Sequence, residues 1–179
     1  SGERLDGVAS ETAAQKLRGR VGTTVTVKVN SVSIFFWFLI YIITPDGHLS
    51  KTGICEAVSF LTDCCIRDGS YTVQEMENQG VQSYILDLRN NPGGLVRVGL
   101  DVAQIWLDGT ETLVNTIDRD GDMLPINMIN GHALTRDPLV VLVNEESASA
   151  SEILAGALHD NGRAILVGHR TFGKGKIQV

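Results

Sequence analysis

From residue 80 onward the apolar and polar positions fall into a regular order. "SYILDL" reads as a strand, "NNPGG" breaks the chain, and a helix is expected over roughly residues 96–107, ending at Asp108-Gly109. "TLVNTI" reads as a strand before the turn-rich "DRDGD". "PLVVLV", Pro138 to Val143, is a continuous apolar run of the kind buried on both faces of a parallel sheet. A helix is expected over about Ser149 to His159, and "RAILVG" reads as another buried strand. Strand, helix, strand, helix, strand is the pattern of an α/β domain with right-handed crossovers.

Residues 1–79 are less regular. Ser10 to Leu17 carries a helix signal, with Ser10 as its cap and Ala13, Ala14 and Leu17 on one side. In "TTVTVKV", Val25, Val27 and Val29 share one face, as in a half-buried strand. Then comes the apolar run "IFFWFLIYII", Ile34 to Ile43, a "TPDG" turn, and the cysteine-rich "ICEAVSFLTDCCIRDGS", with no sustained period. "VQEMENQG" looks like the end of a helix stopped by Gly80.

The ten-residue apolar run is too short to cross a hydrocarbon core as a helix, which needs about 20 residues. With 179 residues, 43% of them hydrophobic and 20% charged, the chain has the size and composition of a globular domain, or of one domain plus a piece of another. A net charge of −6 with no basic cluster argues against a nucleic-acid partner. The opening "SGERLDG" carries no targeting segment. Cys55, Cys64 and Cys65 fit neither a C-x-x-C redox motif nor a zinc spacing, so no metal site is expected.

Two places carry candidate chemistry. "VNEESASASEILAGALHD" sets Ser147, Ser149 and Ser151 where a strand turns into a helix. Ser149-Ala-Ser-Glu152 is an S-x-x-E capping box, and the same turn is where an α/β enzyme displays a nucleophile beside helix N-terminal amides. A serine needs a neighbouring base. His159 lies about 280° round the helix from Ser149, and Asp160, on the serine's face, is about 16 Å up the axis, a supporting or structural carboxylate. His48, His132 and His169 lie in turn-like stretches. The second place is "GHRTFGKGKIQV". Gly168-x-x-x-x-Gly173-Lys174 resembles a P-loop, but Gly175 stands where the Mg²⁺-binding hydroxyl belongs, and a strand rather than a helix follows. Lys174 follows a buried strand and is a candidate base if burial lowers its pKa from about 10.4; Lys176, of the same strand parity, is its rival.

"YILDLRNNPGG", "PLVVLVNEESASASEILAGALHD" and "GHRTFGKGKIQ" together resemble the carboxyl-terminal processing (tail-specific) serine proteases of plant and cyanobacterial type. The resemblance implies an α/β, crotonase/ClpP-like βαβ protease core over residues 73–179, with a Ser149–Lys174 dyad 25 residues apart and Gln178 orienting the lysine. It also implies an oxyanion hole from the main-chain amides of Ala150 and Gly94, no cofactor, and protein C-terminal tails as substrates. In plastids this family matures a photosystem II reaction-centre subunit, which implies the chloroplast thylakoid lumen. Residues 1–30 resemble the second half of a PDZ domain, so the sequence is expected to be a fragment at both ends.

Residues 31–72 depart from the family, forming a divergent or mis-translated segment. The family strand has the form G-Y-[VI]-[KR]-L-x-x-F, whereas Gly53 is followed by "ICEAVSFLTDCC". Read one base out of frame from the Ile54 codon, the possible codons permit Tyr-Val-Lys-Leu-Ser-Ala-Phe-Ser-Gln-Thr-Ala-Ala. The expectation is a one-base shift near Ile54, with "NSVSIFFWFLIYII" as retained intron, artefactual cysteines and a strand lost from the sheet; the alternative is a genuine insertion. Two other functions are open: a peptide-binding remnant without turnover, and an acyl-transfer or hydratase enzyme of the same architecture.

Overall fold

The structure is a computed structural model that describes residues 35–60, 64–129 and 131–174. The expected helix at Ser10–Leu17, the strand of Val25–Val29, the partial PDZ domain, Lys176 and Gln178 lie outside the described residues. The chain divides into two compact units, Ser1–Val32 and Ser33–Val179, and the described residues belong to the second.

That unit is a mixed α/β fold. Its strands are β1 (Phe35–Ile43), β2 (Leu49–Ala57), β3 (Ser83–Asp87), β4 (Thr112–Ile117), β5 (Met123–Asn127), β6 (Leu139–Val143) and β7 (Ala164–Gly168). Its helices are α1 (Cys64–Asn78), α2 (Val96–Ala103) and α3 (Ala150–Asp160). Five strands form the main sheet in the order β1-β2-β3-β6-β7; β1 runs antiparallel to β2, and the remaining neighbours are parallel.

One face of this sheet holds the core. Cys55, Ala57, Tyr84, Leu86, Leu139, Val141 and Val143 alternate inward and are buried with Val73 and Met76 of α1, Val98 and Val102 of α2, and Leu154 and Leu158 of α3. Gly53 lets α1 come close to the sheet: a Cβ there would lie 2.5 Å from Met76 Sδ and 3.3 Å from the Tyr84 ring. On the opposite face Ile54, Ile85, Val140 and Leu142 are only half-buried, and Ile165 and Val167 are exposed. Among the described residues β6 and β7 are therefore covered on one face, not on both as their unbroken apolar runs suggest. An apolar run records what a strand is made of, not how many layers cover it.

Three other expectations change. β4 leaves the main sheet and pairs with β5 as a separate antiparallel hairpin, closed by a turn in which Asp118 Oδ1 accepts the N–H groups of Asp120 and Asp122. α2 ends at Ala103, four residues early, because Gln104, Ile105 and Trp106 donate to carbonyls three residues back. This tighter turn drops Trp106 into the core, edge-on to Tyr84 at 5.2 Å. Finally, the strand expected to be lost is present: residues 49–57, as they stand, pair with β3 from Thr52 to Glu56. Cys55 and Ala57 fill its inward positions. Phe60, seven residues after Gly53 and so at the family pattern's Phe, is fully buried. The strand does not depend on a shifted frame, and α1 runs unbroken through residues 72 and 73.

Candidate active site

Two loops leave the carboxyl ends of adjacent strands, residues 88–95 after β3 and 144–149 after β6, and polar side chains, with Asn91, Ser147 and Ser151 buried among them, lock them together. Ser147 Oγ donates to Leu88 O at 2.7 Å and accepts from Asn144 N at 3.0 Å. Asn90, at φ 59, donates its N–H to Asn144 Oδ1 at 2.9 Å, while Asn144 Nδ2 donates to Asn90 Oδ1 at 2.7 Å. Asn91 is fully buried and does the most. Its Nδ2 reaches Ala57 O at 2.6 Å, its Oδ1 accepts Gly93 N–H at 2.9 Å, and its carbonyl accepts both Ala148 N–H and Ser151 Oγ–H at 3.0 Å. With every polar group satisfied, such a network rigidifies what it holds. Ser147 and Ser151 are thus structural. At the start of the first loop, Asp87 grips Arg89 through two parallel bonds, Nε at 2.9 Å and a terminal nitrogen at 2.6 Å.

Ser149 is different. It sits at the N-cap of α3 with φ 58 and ψ −117, a conformation that costs a residue with a side chain about 1–3 kcal/mol and persists only where its surroundings impose it. The surroundings are close: a Cβ on Gly93 would lie 2.5 Å from Ala148 O, 2.8 Å from Ala150 N and 2.9 Å from Ser149 Cβ. A serine forced into a sharp strand-to-helix turn is presented outward above the sheet.

Glu152 ties this serine to the lysine segment. Its carboxylate accepts Ser149 N–H at 2.7 Å, which is the carboxylate half of the capping box. It also accepts Thr171 Oγ–H at 2.9 Å, Gly173 N–H at 2.7 Å and Lys174 N–H at 3.3 Å. Phe172 N–H, between these, donates to Ser147 O at 3.0 Å. One carboxylate therefore fixes the main chain of Ser149 and Lys174 to each other. Partial burial alone would raise its pKa; the bonds from Ser149, Gly173, Thr171 and Lys174 outweigh that and hold it below the ordinary 4.5. The sequence showed Glu152 only as a cap, because its other partners lie 19–22 residues away.

Phe60 fixes the orientation of the Gly94 peptide. Phe60 and Gly94 form a parallel bridge in which Gly93 O accepts Phe60 N–H at 2.9 Å and Leu95 N–H donates to Phe60 O at 2.8 Å. By strand alternation this turns the Gly94 N–H away from Phe60. Ala150 is the first residue of α3, whose opening amides have no intrahelical acceptor. "NPGG" is therefore more than a turn: it packs against the serine on one side and Phe60, three residues past β2, on the other.

Other candidates fall away from this centre. Asp160 ends α3 and pairs with His159 at 3.0 Å. His48 and His132 lie beside Asp46 and Asp108, each at 4.0 Å. His169, 3.9 Å from Glu145, lines a cleft of about 440 Å³ with Arg89, Leu142, Asn144 and Val167. Cys55 is buried and its thiol is pushed up to about 12, which makes it inert as a nucleophile. Lys174 itself is exposed, so the described residues do not supply the burial expected for a neutral lysine. Among the described residues, no group of His, Cys, Asp and Glu is arranged to hold a metal ion, and no helix is long and apolar enough to cross a membrane.

Residues 67–179 match the family described as peptidase family S41. Carboxyl-terminal-processing peptidase 3, chloroplastic, of Arabidopsis thaliana is 63% identical over 199 residues, covering 99% of this chain and 38% of its own length. The carboxyl-terminal-processing protease of Picosynechococcus sp. is 42% identical over 184 residues, covering 96% of this chain and 44% of its own. A solved photosystem II D1 C-terminal processing protease matches with a TM-score of 0.73 at 34% identity, over 84% of this chain and 40% of that one. Mature CPAF in complex with lactacystin matches at 0.66 with 18% identity, a likeness of fold alone. The chain spans about two fifths of the length of the curated relatives it matches.

Proposed function

Because the chain belongs to peptidase family S41, we propose that it is the core of a serine endopeptidase that processes proteins from their C-terminal tails, with Ser149 as nucleophile and Lys174 as base. The observation that carries this reading is the strained Ser149 turn, joined to Lys174 through Glu152. Lys174, in its neutral form, takes the proton of Ser149 Oγ as the oxygen attacks the scissile carbonyl. The Ala150 and Gly94 amides hold the tetrahedral oxyanion, helped by the N-terminal end of α3. Lys174 then protonates the leaving amine, and water releases the acyl group. Gln178 orients the lysine. No cofactor enters this scheme.

The scheme requires Lys174 to lose its solvent, and a substrate tail lying across residues 169–174 supplies the cover that the described residues leave off. On this reading the architecture is of the crotonase/ClpP-like βαβ kind, residues 1–30 are part of a PDZ domain, and the location is the chloroplast thylakoid lumen. The name of the chloroplastic relative supports the chloroplast part of that location, and the photosystem II protease is in keeping with it. The exposure of Lys174 favours one second reading, a peptide-binding fold without turnover. A fluorophosphonate probe separates the two. Mass-mapped labelling at Ser149, lost in Lys174→Ala, supports the peptidase; an unlabelled Ser149 in the folded chain supports the second reading.

A further inference from the structure

β1 is nine consecutive apolar residues, FFWFLIYII, at the edge of the main sheet. One side of its backbone is committed to β2 in an unbroken antiparallel register from Phe35↔Ala57 to Ile43↔Leu49. Among the described residues its other side pairs with nothing. Edge strands of soluble proteins are usually blunted by a charge, a proline, a bulge or shortness. β1 has none of these. Exposed side chains stand on both faces of the sheet, Phe38 at 49% on one and Tyr41 at 66% and Ile43 at 72% on the other, while Leu39 packs against the core.

We infer that β1 is an interface between two copies of this chain, joined edge to edge as antiparallel strands. The backbone selects the kind of partner. A row of unpaired N–H and C=O groups is satisfied by an extended chain and not by hydrocarbon, so a lipid surface does not fit this edge. The side chains select further. The partner strand must be apolar on both faces over the same length, or it would bury polar groups beside Phe38 and Tyr41. Among the described strands only β1 itself meets that condition: β4, β5 and the start of β2 carry polar residues, while β6 and β7 are apolar but only five residues long, and β6 is already paired on both sides. An antiparallel pair of identical strands is also self-complementary and closes at two copies.

Centred on Leu39, the midpoint of β1, the pairing sets Trp37 opposite Tyr41 and Phe38 opposite Ile40 of the second copy, cross-strand pairs of the favourable aromatic and aliphatic kinds. The resulting sheet has ten strands. Seven strand spacings of about 4.8 Å set the two β6 strands roughly 34 Å apart across the sheet, and because they run in opposite directions the two Ser149 loops leave opposite edges of it and lie further apart than that. Neither site is covered. The interface therefore does not depend on the peptidase reading, and its test needs no activity.

The test is sedimentation equilibrium of the whole chain and of a Phe38→Lys/Tyr41→Lys variant, with hydrogen exchange of β1 followed against concentration. Both substituted side chains are exposed, so the variant folds, and its circular dichroism and melting temperature check that. The 19.3 kDa chain is expected to run at about 39 kDa at tens of micromolar, with slower exchange in residues 37–43 as concentration rises. The double lysine variant is expected at the monomer mass. A monomeric unmutated chain at those concentrations, a variant that still dimerises, or assemblies that grow beyond two copies would each overturn the proposal. So would a monomer whose β1 is protected only on adding an apolar-tailed peptide, since the edge would then serve a substrate.

Discussion

Replacing Glu152 by glutamine keeps the side chain's shape and removes its charge, which isolates what the carboxylate does. It accepts four donors: the main-chain N–H groups of Ser149, Gly173 and Lys174 and the Thr171 hydroxyl. A glutamine oxygen can accept two, and its NH₂ faces the others as donor against donor. Hydrogen bonds to charged groups contribute about 1.5–3 kcal/mol each, and water reaches this half-buried site and restores part of the loss, so about 3 kcal/mol is the expected destabilisation. For a chain of this size that is a fall of roughly 6–12 °C in melting temperature. If half of it is felt where Lys174 meets Ser149, serine labelling slows at least tenfold. Thr171→Ala, which removes one donor and leaves the charge, is expected to cost about 1 kcal/mol. The pH dependence has a definite sign. The folded carboxyl is held below its ordinary value, so its contribution is complete above pH 4.5 and fades as pH falls through the lower folded pKa. The gap between the two melting curves should therefore close in acid. A Glu152→Gln variant that melts within about 1 °C of the unmutated chain and labels at the same rate would reduce Glu152 to a solvated cap.

Two further outcomes follow from local geometry. Gly93→Ala places a methyl against Ala148 O, Ala150 N and Ser149 Cβ at φ 90, and is expected to lose about 3 kcal/mol and slow labelling roughly a hundredfold; Gly47→Ala, at φ 85 in open space, should cost only about 1 kcal/mol and leave labelling unchanged, and equal effects at both would remove contact as the cause. Cys55 should resist iodoacetamide at pH 8 in the native chain and react on unfolding, as read by tandem mass spectrometry of the tryptic peptide spanning residues 52–67; the masses of the same peptide decide the reading frame after Gly53.

The parts of the fold that the sequence reveals best are those whose signals are local. β6, α3 and β7 lie within a residue or two of their expected places, because apolar runs, a cap and a terminal turn mark them. Long-range pairing leaves weaker traces. β5 carries Pro125 and exposes all five residues, so nothing in its pattern announces a partner for β4. β1 and β2 hide for the opposite reason: a run with no polar positions has no period to read, and Cys55 and Ala57 do not resemble a family strand although they fill its inward face. At the site, the spacing of Ser149, Lys174 and "NPGG" was visible. The ties that hold them were not, because Asn91, Ser147 and Glu152 act through partners that only the fold brings within reach.

Cleavage of a protein with an apolar C-terminal tail, followed by mass, tests the central claim most directly. The unmutated chain is compared with Ser149→Ala and Lys174→Ala, each first shown by circular dichroism to be folded. The account predicts internal cuts near the tail by the unmutated chain and none by either variant. Cutting that survives Lys174→Ala would assign the base to Lys176 or a histidine and contradict the dyad, and a folded unmutated chain that leaves the substrate intact would contradict the claim that this core is catalytic.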